Sequence, residues 1–469
     1  MENTKVRPFG RRDQIGYLSG SMANDLTFTL CSGFLMKFYT DVMDVSAAVV
    51  GIMMMLTQII DAVTDIGMGT IVDRSKEQKD GKFRPWIRRI MGPVTLTSFL
   101  MYAVWFRDMA MGFKIVWMFV TYILYCSIFY TAVDIPYGSL SAGMSQEPNE
   151  RASLANARHI GGTLAMTGIN VIIPMVVYYS DAEGHQVLSG TRMAIAALVC
   201  SVAALLLYIV CYRCTTERVH VPPTNEKFSV KKFASNILLS RAMLGLVVFM
   251  LVRELTNTAF HGMSGYIYPN YFGNPAAQSI SGVMETIITL VMAAFLVQLA
   301  AKFGKREIVA YGSFFAAIVL LIAYFSHTRN VVVWLVYYGL ITLGLGIFGI
   351  AWALPTDIID DIEVRTGTRA DGTIFGVYSF SRKLGQAISS GIRGIMLSAI
   401  GYTAATAFDP QVVDGIYNIT CIVPMIGFAI NGLILLTIYP LSKKRVEENA
   451  EILRKRHEAS GVKNEETDK

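Results

Sequence analysis

An all-α integral membrane fold with twelve spanning helices is what this 469-residue chain predicts, on three observations. Hydrophobic residues make up 53% and charged residues only 16%, against roughly 25% charged in a soluble domain. Twelve apolar runs each approach the roughly 20 helical residues that cross about 30 Å of hydrocarbon. The segments between them alternate between basic and nearly free of Lys and Arg, as loops do when sorted to two sides of a bilayer.

Taken in order, the runs fall at about 15–40, 46–72, 87–106, 113–140, 153–179, 191–213, 241–272, 278–301, 307–326, 331–355, 372–400 and 415–440. Helices are preferred to strands because backbone groups in lipid must bond within their own segment, and these runs are too long for barrel strands. The basic connections are the N-terminus, 73–90 with Arg74, Lys76, Lys82, Arg84, Arg88 and Arg89, 214–240, Lys302 to Arg306, and the tail after Pro440. The opposite set, near 41–48, 180–190, 273–281 and 401–414, has almost no Lys or Arg. The first set is therefore expected in the cytoplasm of a cell with this protein in its plasma or inner membrane, with both termini inside and an even number of spans. The charged start MENTKVRPFGRRDQ, without a small-residue cleavage site behind it, reads as an uncleaved terminus.

The polar stretch RCTTERVHVPPTNEKFSVKK at 213–232 divides the spans six and six. The expected organisation is a first half 1–213, a central loop 214–240, a second half 241–440 and a charged tail 441–469. A weak internal echo supports a repeat: Gly69, Asp73 and Arg74 with Gly81-Lys82 follow span two, and Lys302, Gly304, Lys305 and Arg306 follow span eight. Two six-helix halves related by pseudo-symmetry describe the major facilitator architecture, with a substrate site near the midplane between them. The other reading of these loops is a solvated turn that serves only the charge asymmetry.

Other classes fit poorly. The formal charge of +6 is scattered, so no nucleic-acid partner is expected. The six cysteines fall mostly in apolar runs and suggest no disulfide framework; Cys211 and Cys214 end a hydrophobic helix without a second pair, so no metal or redox site is expected there. The six histidines are scattered, which argues against a membrane-embedded enzyme, and no cofactor is expected beyond a coupling ion.

The informative residues are the charges inside spans, because each needs a partner, a cavity or a task. Asp61 and Asp65, four apart in QIIDAVTDIGMG, project from one helical face with Cβ atoms about 6 Å apart. Two such carboxylates repel, so one carries a proton or a cation sits between them. Hard oxygen ligands suit Na⁺, Li⁺ or H⁺ better than a transition metal. Thr64 on the same turn, and Thr131 one turn before Asp134, add neutral oxygens. The alternative is that both aspartates form interhelical salt bridges with Arg158 or Lys383.

Asp134 stands in VDIPYGSL, where Pro136 is expected to kink the helix, as at a cavity wall. Carboxylates, a guanidinium and an aromatic face are what a sugar's polar rim and apolar ring require. Asp25, Asp134, Arg158, Tyr137 and Trp352 supply that set, with Arg158 otherwise a loop-end residue reaching the headgroups. Lys383 is a mobile counter-ion for the aspartate pair, or, with Arg382, the basic end of a later-starting span. Lys37 reads as a snorkelling side chain and Arg253 with Glu254 as residues paired with neighbours; Glu285 has no assigned role.

At these residues the chain resembles the glycoside-pentoside-hexuronide:cation symporters. The carrying motifs are Asp25 followed by KFYTDV, the Asp61/Asp65 pair, DRSKEQKDGKFRPW, VDIPYGSL, NERASLANARHIGG and WALPTDIIDDIEVRTGTRADGTIFGVYSFSRKLGQA, in order through both halves. The resemblance implies that Asp61, Asp65 and Thr131 bind the coupling Na⁺, H⁺ or Li⁺, that Asp25, Asp134 and Arg158 hold the sugar, and that Lys383 lies near the cation. It departs at Gly138, where a Trp stands in the sugar site of a galactoside carrier, and at Thr64, where that carrier has Asn. YGSL and RTGTRADGTIFGVYSFSRK sit closer to the glucuronide and pentoside branches. The expectation is a monomeric secondary transporter importing a glycoside with Na⁺ or H⁺. The alternatives are a cation-coupled lysolipid carrier and a sugar sensor on the same fold.

Overall fold

The computed structural model describes residues 7–78, 80–219, 241–366 and 371–459. Helix occupies each of the twelve expected positions. The first three are α1 (Arg11–Asp41), α2 (Ala47–Arg74) and α3 (Arg84–Leu100). The fourth is composite: α4 (Met111–Ile123) passes through a π-helical stretch, Leu124–Tyr130, into α5 (Thr131–Met144). Then come α6 (Pro148–Val177), a short antiparallel hairpin of β1 (Tyr178–Ser180) and β2 (Gln186–Leu188), and α7 (Gly190–Cys214). Beyond the central loop lie α8 (Arg241–Tyr266) with a π-helical end at Ile267–Tyr271, α9 (Ala276–Phe303) and α10 (Lys305–Ser326). α11 (Val331–Gly346) continues through a 3₁₀ turn, Ile347–Ala353, into α12 (Leu354–Thr366). α13 (Asp371–Ala399), α14 (Pro410–Thr437) and a polar α15 (Lys443–Ala459) complete the chain.

Among the described residues, nine helical stretches are long and apolar enough to cross a membrane. α1, α3 and α13 fill the other three expected positions: α1 and α13 carry charged groups such as Asp25 and Lys383, and α3 is only 17 residues long. The lipid-facing side of α7 follows helical periodicity: Ile195, Val199, Val202 and Leu206 are all exposed, while Met193, Ala197, Cys200 and Ala204 are buried.

The chain divides into two compact units. The first contains α1 to α7 with the segments His261–Val283 and Ala387–Tyr417. α1 packs on α6 and α7 over small residues: a Cβ on Gly161 would fall 2.3 Å from the Leu18 carbonyl oxygen, and one on Gly20 would meet Tyr137 and Cys211. Such close backbone approach is how helices associate where lipid removes the hydrophobic drive between them. The second unit contains α8 up to Phe260, Met284–Gln386 and the chain from Asn418. Its core gathers Phe249, Phe260, Tyr338, Phe348, Phe428 and Tyr439.

Two local expectations, the end of the third span and the placement of Lys37, are corrected. The third span ends at Leu100 and gives way to a 3₁₀ turn at Val104–Phe106, short of 106. Pro136 lies inside α5, and π-helical turns precede it at Leu124–Tyr130. Lys37 does not reach for headgroups: it is 2% exposed, and its ammonium donates to Asn270 Oδ1 and Tyr402 OH at 2.6 Å each and pairs with Asp41 at 2.7 Å. The Tyr266 ring lies under it at 4.7 Å. A buried ammonium is tolerated when it is paired and its donors are used.

The start of α3 is closed from afar. Glu217 accepts from the backbone N–H groups of Lys82, Phe83 and Arg84 at 2.8 to 2.9 Å, satisfying orphan donors of that helix. Burial pushes its carboxyl above the ordinary range, and these three N–H groups pull the other way. Gly81, at φ +108°, leaves the room the carboxylate fills. Beside it, the fully buried Asp13 pairs with Arg7 at 2.8 Å and Arg218 at 2.9 Å.

Candidate functional site

The first unit brings Asp61, Asp65 and Thr131 together. The aspartates stand one turn apart on α2, and Thr131 is the first residue of α5 after the π-helical turns. Its hydroxyl oxygen lies 2.8 Å from Asp61 Oδ1, 3.1 Å from Asp65 Oδ1 and 3.2 Å from the Cys126 carbonyl. A hydroxyl has one proton. It serves one of three acceptors at a time, so this cluster holds more oxygen acceptors than Thr131 has protons to give. Among the described residues no three His, Cys, Asp or Glu side chains converge as a metal cluster. What α2 and α5 offer is carboxylate, hydroxyl and carbonyl oxygen, the donor set of a hard cation. Thr64 turns its hydroxyl to the Asp61 carbonyl at 3.0 Å.

One turn along α5, Asp134 accepts from Asn24 Nδ2 at 2.8 Å and faces Arg158 Nη2 at 3.7 Å. Asn24 is 3% exposed, and its carbonyl oxygen accepts from the Tyr208 hydroxyl of α7. Asp25, next on α1, accepts from Ser21 Oγ at 3.2 Å and lies against Gly162 of α6, where a Cβ would stand 2.7 Å from its Oδ2. Ser21 Oγ is also 2.8 Å from the Arg158 carbonyl. Two half-buried carboxylates and a guanidinium from α1, α5 and α6 therefore share one polar cluster.

Tyr137 plays a different part from a free aromatic face. Its ring stacks on Tyr17 at 4.7 Å, its hydroxyl donates to the Tyr17 carbonyl at 2.6 Å, and the Arg158 guanidinium lies 5.3 Å from its centroid. It supports the arginine. The open aromatic pair is Phe28 with Tyr130, rings 5.3 Å apart, three residues after Asp25 and four before Asp134. At Gly138 the Arg158 Nη1 lies 3.4 Å from where a Cβ would be, so no side chain covers the guanidinium from that position.

Lys383 and Trp352 belong to the second unit. Lys383 is half-buried on α13, three residues before Gln386, whose amide donates to Glu254 Oε2 at 3.1 Å. Arg253 and Glu254 pair with each other. Trp352 lies in the 3₁₀ turn before α12; its side chain is outside the described residues.

Asn24, Tyr208, Tyr130, Phe28 and Ser21 were not singled out from the sequence. Asn24 carried a usable signal, an amide in a spanning helix beside Asp25. Tyr208 carried none, because its partner is 184 residues away.

A family model described as MFS/sugar transport protein matches residues 16–443. The chain is 29% identical over 442 residues to a glucuronide carrier protein homolog of Escherichia coli (strain K12), covering 93% of this chain and 94% of that protein. It is 28% identical over 453 residues to an isoprimeverose transporter of Lactiplantibacillus pentosus, covering 93% and 92%. Among solved structures, a D-xylose-proton symporter aligns with a TM-score of 0.63 at 12% identity, over 92% of this chain and 98% of that one. The nucleoside transporter NupG aligns at 0.61 and 12% identity, over 91% and 100%. At these identities the structural likeness speaks for the fold alone.

Proposed function

The chain belongs to the MFS/sugar transport family, as a multi-pass transporter of the glycoside-pentoside-hexuronide:cation kind rather than an enzyme, and from that premise we propose that it imports a glycoside together with Na⁺ or H⁺. The observation that carries the reading is the cluster at Thr131, where two carboxylates and a carbonyl surround a hydroxyl with a single proton. The substrate is a small glycoside, with glucuronides and pentosides first, as the names of the relatives suggest.

Asp61, Asp65, Thr131 and Thr64 serve the cation. Asp25, Asp134 and Arg158 serve sugar hydroxyls, with Tyr137 bracing the arginine. Carboxylates accept from hydroxyls and the guanidinium donates to them. Coupling follows from spacing: Thr131 and Asp134 lie three residues apart on one helix, so ordering one site orders the other. A cation that tightens sugar binding is tightened by sugar to the same degree. The occupied helices then expose the site alternately to the two sides, with both termini in the cytoplasm.

The test is uptake into liposomes reconstituted with the purified chain, under an imposed Na⁺ or H⁺ gradient, with a glucuronide, a xyloside and a galactoside. Accumulation of one glycoside above its outside concentration under one gradient is expected. Equilibration without accumulation, for every sugar and both ions, rejects coupled transport.

A further inference from the structure

Three helices of the second unit have ends that meet at one place: α8 begins at Arg241, α12 finishes at Thr366 and α14 at Thr437. Between them lies a cavity of about 290 Å³, lined by Arg241, Arg365, Arg445, Asp361, Pro440 and Leu441. Three guanidiniums thus face one buried carboxylate.

The cavity is built from fixed parts. Asp361 is 5% exposed and accepts from Asn449 Nδ2 at 3.1 Å, while Arg365 and Arg445 stand 3.7 Å from its oxygens, outside hydrogen-bond range. Arg241 donates to the Thr437 carbonyl at 2.9 Å. α15 is held on α12 by Arg456, which donates to the carbonyls of Glu363 and Val364. Glu448 lies 3.8 Å from Arg445. Each guanidinium carries five N–H donors. Among the described residues, one hydrogen bond accounts for the three side chains, and Arg365 and Arg445 are about half exposed.

We propose that this cavity binds a phosphate group at the membrane surface. Planar, forked donors are the side chains that recognise phosphate bidentately. Three of them outnumber Asp361 and Glu448 together, leaving a positive balance for an anion. The cavity lies where three helices end, and basic pockets between helix ends are where anionic headgroups dock. The phosphate comes from an anionic phospholipid or from a soluble phosphoester. Its binding ties α8, α12 and α15 together and stabilises the second unit.

The test uses the full chain, delipidated in a neutral detergent, titrated with phosphatidylglycerol, phosphatidylcholine, glycerol 3-phosphate or sodium chloride, and read by thermal unfolding and native mass spectrometry. A saturable rise in the midpoint with phosphatidylglycerol or glycerol 3-phosphate is expected, weakened at least tenfold in Arg365→Gln/Arg445→Gln and unchanged in Arg107→Gln, on an exposed turn elsewhere. Should the double variant fail to fold, Arg445→Gln alone serves. Saturation by phosphatidylglycerol only assigns the phosphate to lipid; saturation by glycerol 3-phosphate assigns it to a soluble phosphoester. Binding equal to phosphatidylcholine, no saturable binding, or wild-type affinity in the arginine variants overturns the proposal.

Discussion

The Thr131 hydroxyl lies 2.8 Å from the Asp61 carboxylate while staying within 3.1 Å of Asp65. A single proton between two acceptors makes the oxygen of Thr131, more than its proton, the useful part. Thr131→Ser keeps that oxygen and is expected to keep cation affinity within a few-fold. Thr131→Val keeps the shape and removes the oxygen, and should weaken cation binding about tenfold, the equivalent of one lost polar contact of ~1.4 kcal/mol. Isothermal titration with Na⁺, at fixed pH, separates the two variants.

Asn24 holds Asp134 on one side and Tyr208 on the other, so its effect on sugar passes through the orientation of Asp134. Asn24→Ala is expected to weaken sugar affinity about fivefold, the value of a lost hydrogen bond of ~1 kcal/mol. Tyr208→Phe should act in the same direction and less strongly, since Asn24 then keeps its bond to Asp134. Equilibrium binding of the transported sugar checks both, with cation affinity measured alongside.

Removing the Lys37 ammonium leaves Asp41, whose side chain is 10% exposed, without its cation. Lys37→Met is expected to cost about 3–5 kcal/mol, as for other buried pairs stripped of one partner. Lys37→Met/Asp41→Asn, which removes both charges, should recover most of that loss. Denaturation midpoints of the three proteins decide the matter; equal loss in the single and double variants would show that the pairing is not what matters.

Glu217→Ala opens the start of α3 and is expected to lower stability by about 1 kcal/mol, the value of a helix cap. The pH dependence has a definite sign. Because burial raises the folded carboxyl above its ordinary value, the contribution of this group is complete below the unfolded value near 4.5 and declines as pH rises through the folded one. Glu217→Gln removes that decline. Unfolding of both proteins between pH 4 and 7 shows it as a gap that changes with pH.

Much of this molecule was legible in its sequence for a physical reason: hydrocarbon demands long apolar helices, so their number and order follow from where the apolar runs fall along the chain. The four-residue spacing of Asp61 and Asp65 could be read because it is local to one helix, and Thr131 because it precedes Asp134 by one turn. Long-range partners could not be read. Lys37 was expected at the headgroups because Asn270 and Tyr402 lie 233 and 365 residues away. The hold of Glu217 on α3, across 133 to 135 residues, was invisible for the same reason. The π-helical turns at Leu124–Tyr130 have no sequence signature.

The most direct measurement compares two modes of transport in liposomes carrying Asp61→Cys or Asp65→Cys. Gradient-driven accumulation is expected to vanish in both, while exchange of labelled for unlabelled sugar persists, because the cation has lost its ligands and the sugar has kept its own. Accumulation at the wild-type level in both variants would contradict the assignment of the carboxylate pair as the seat of coupling.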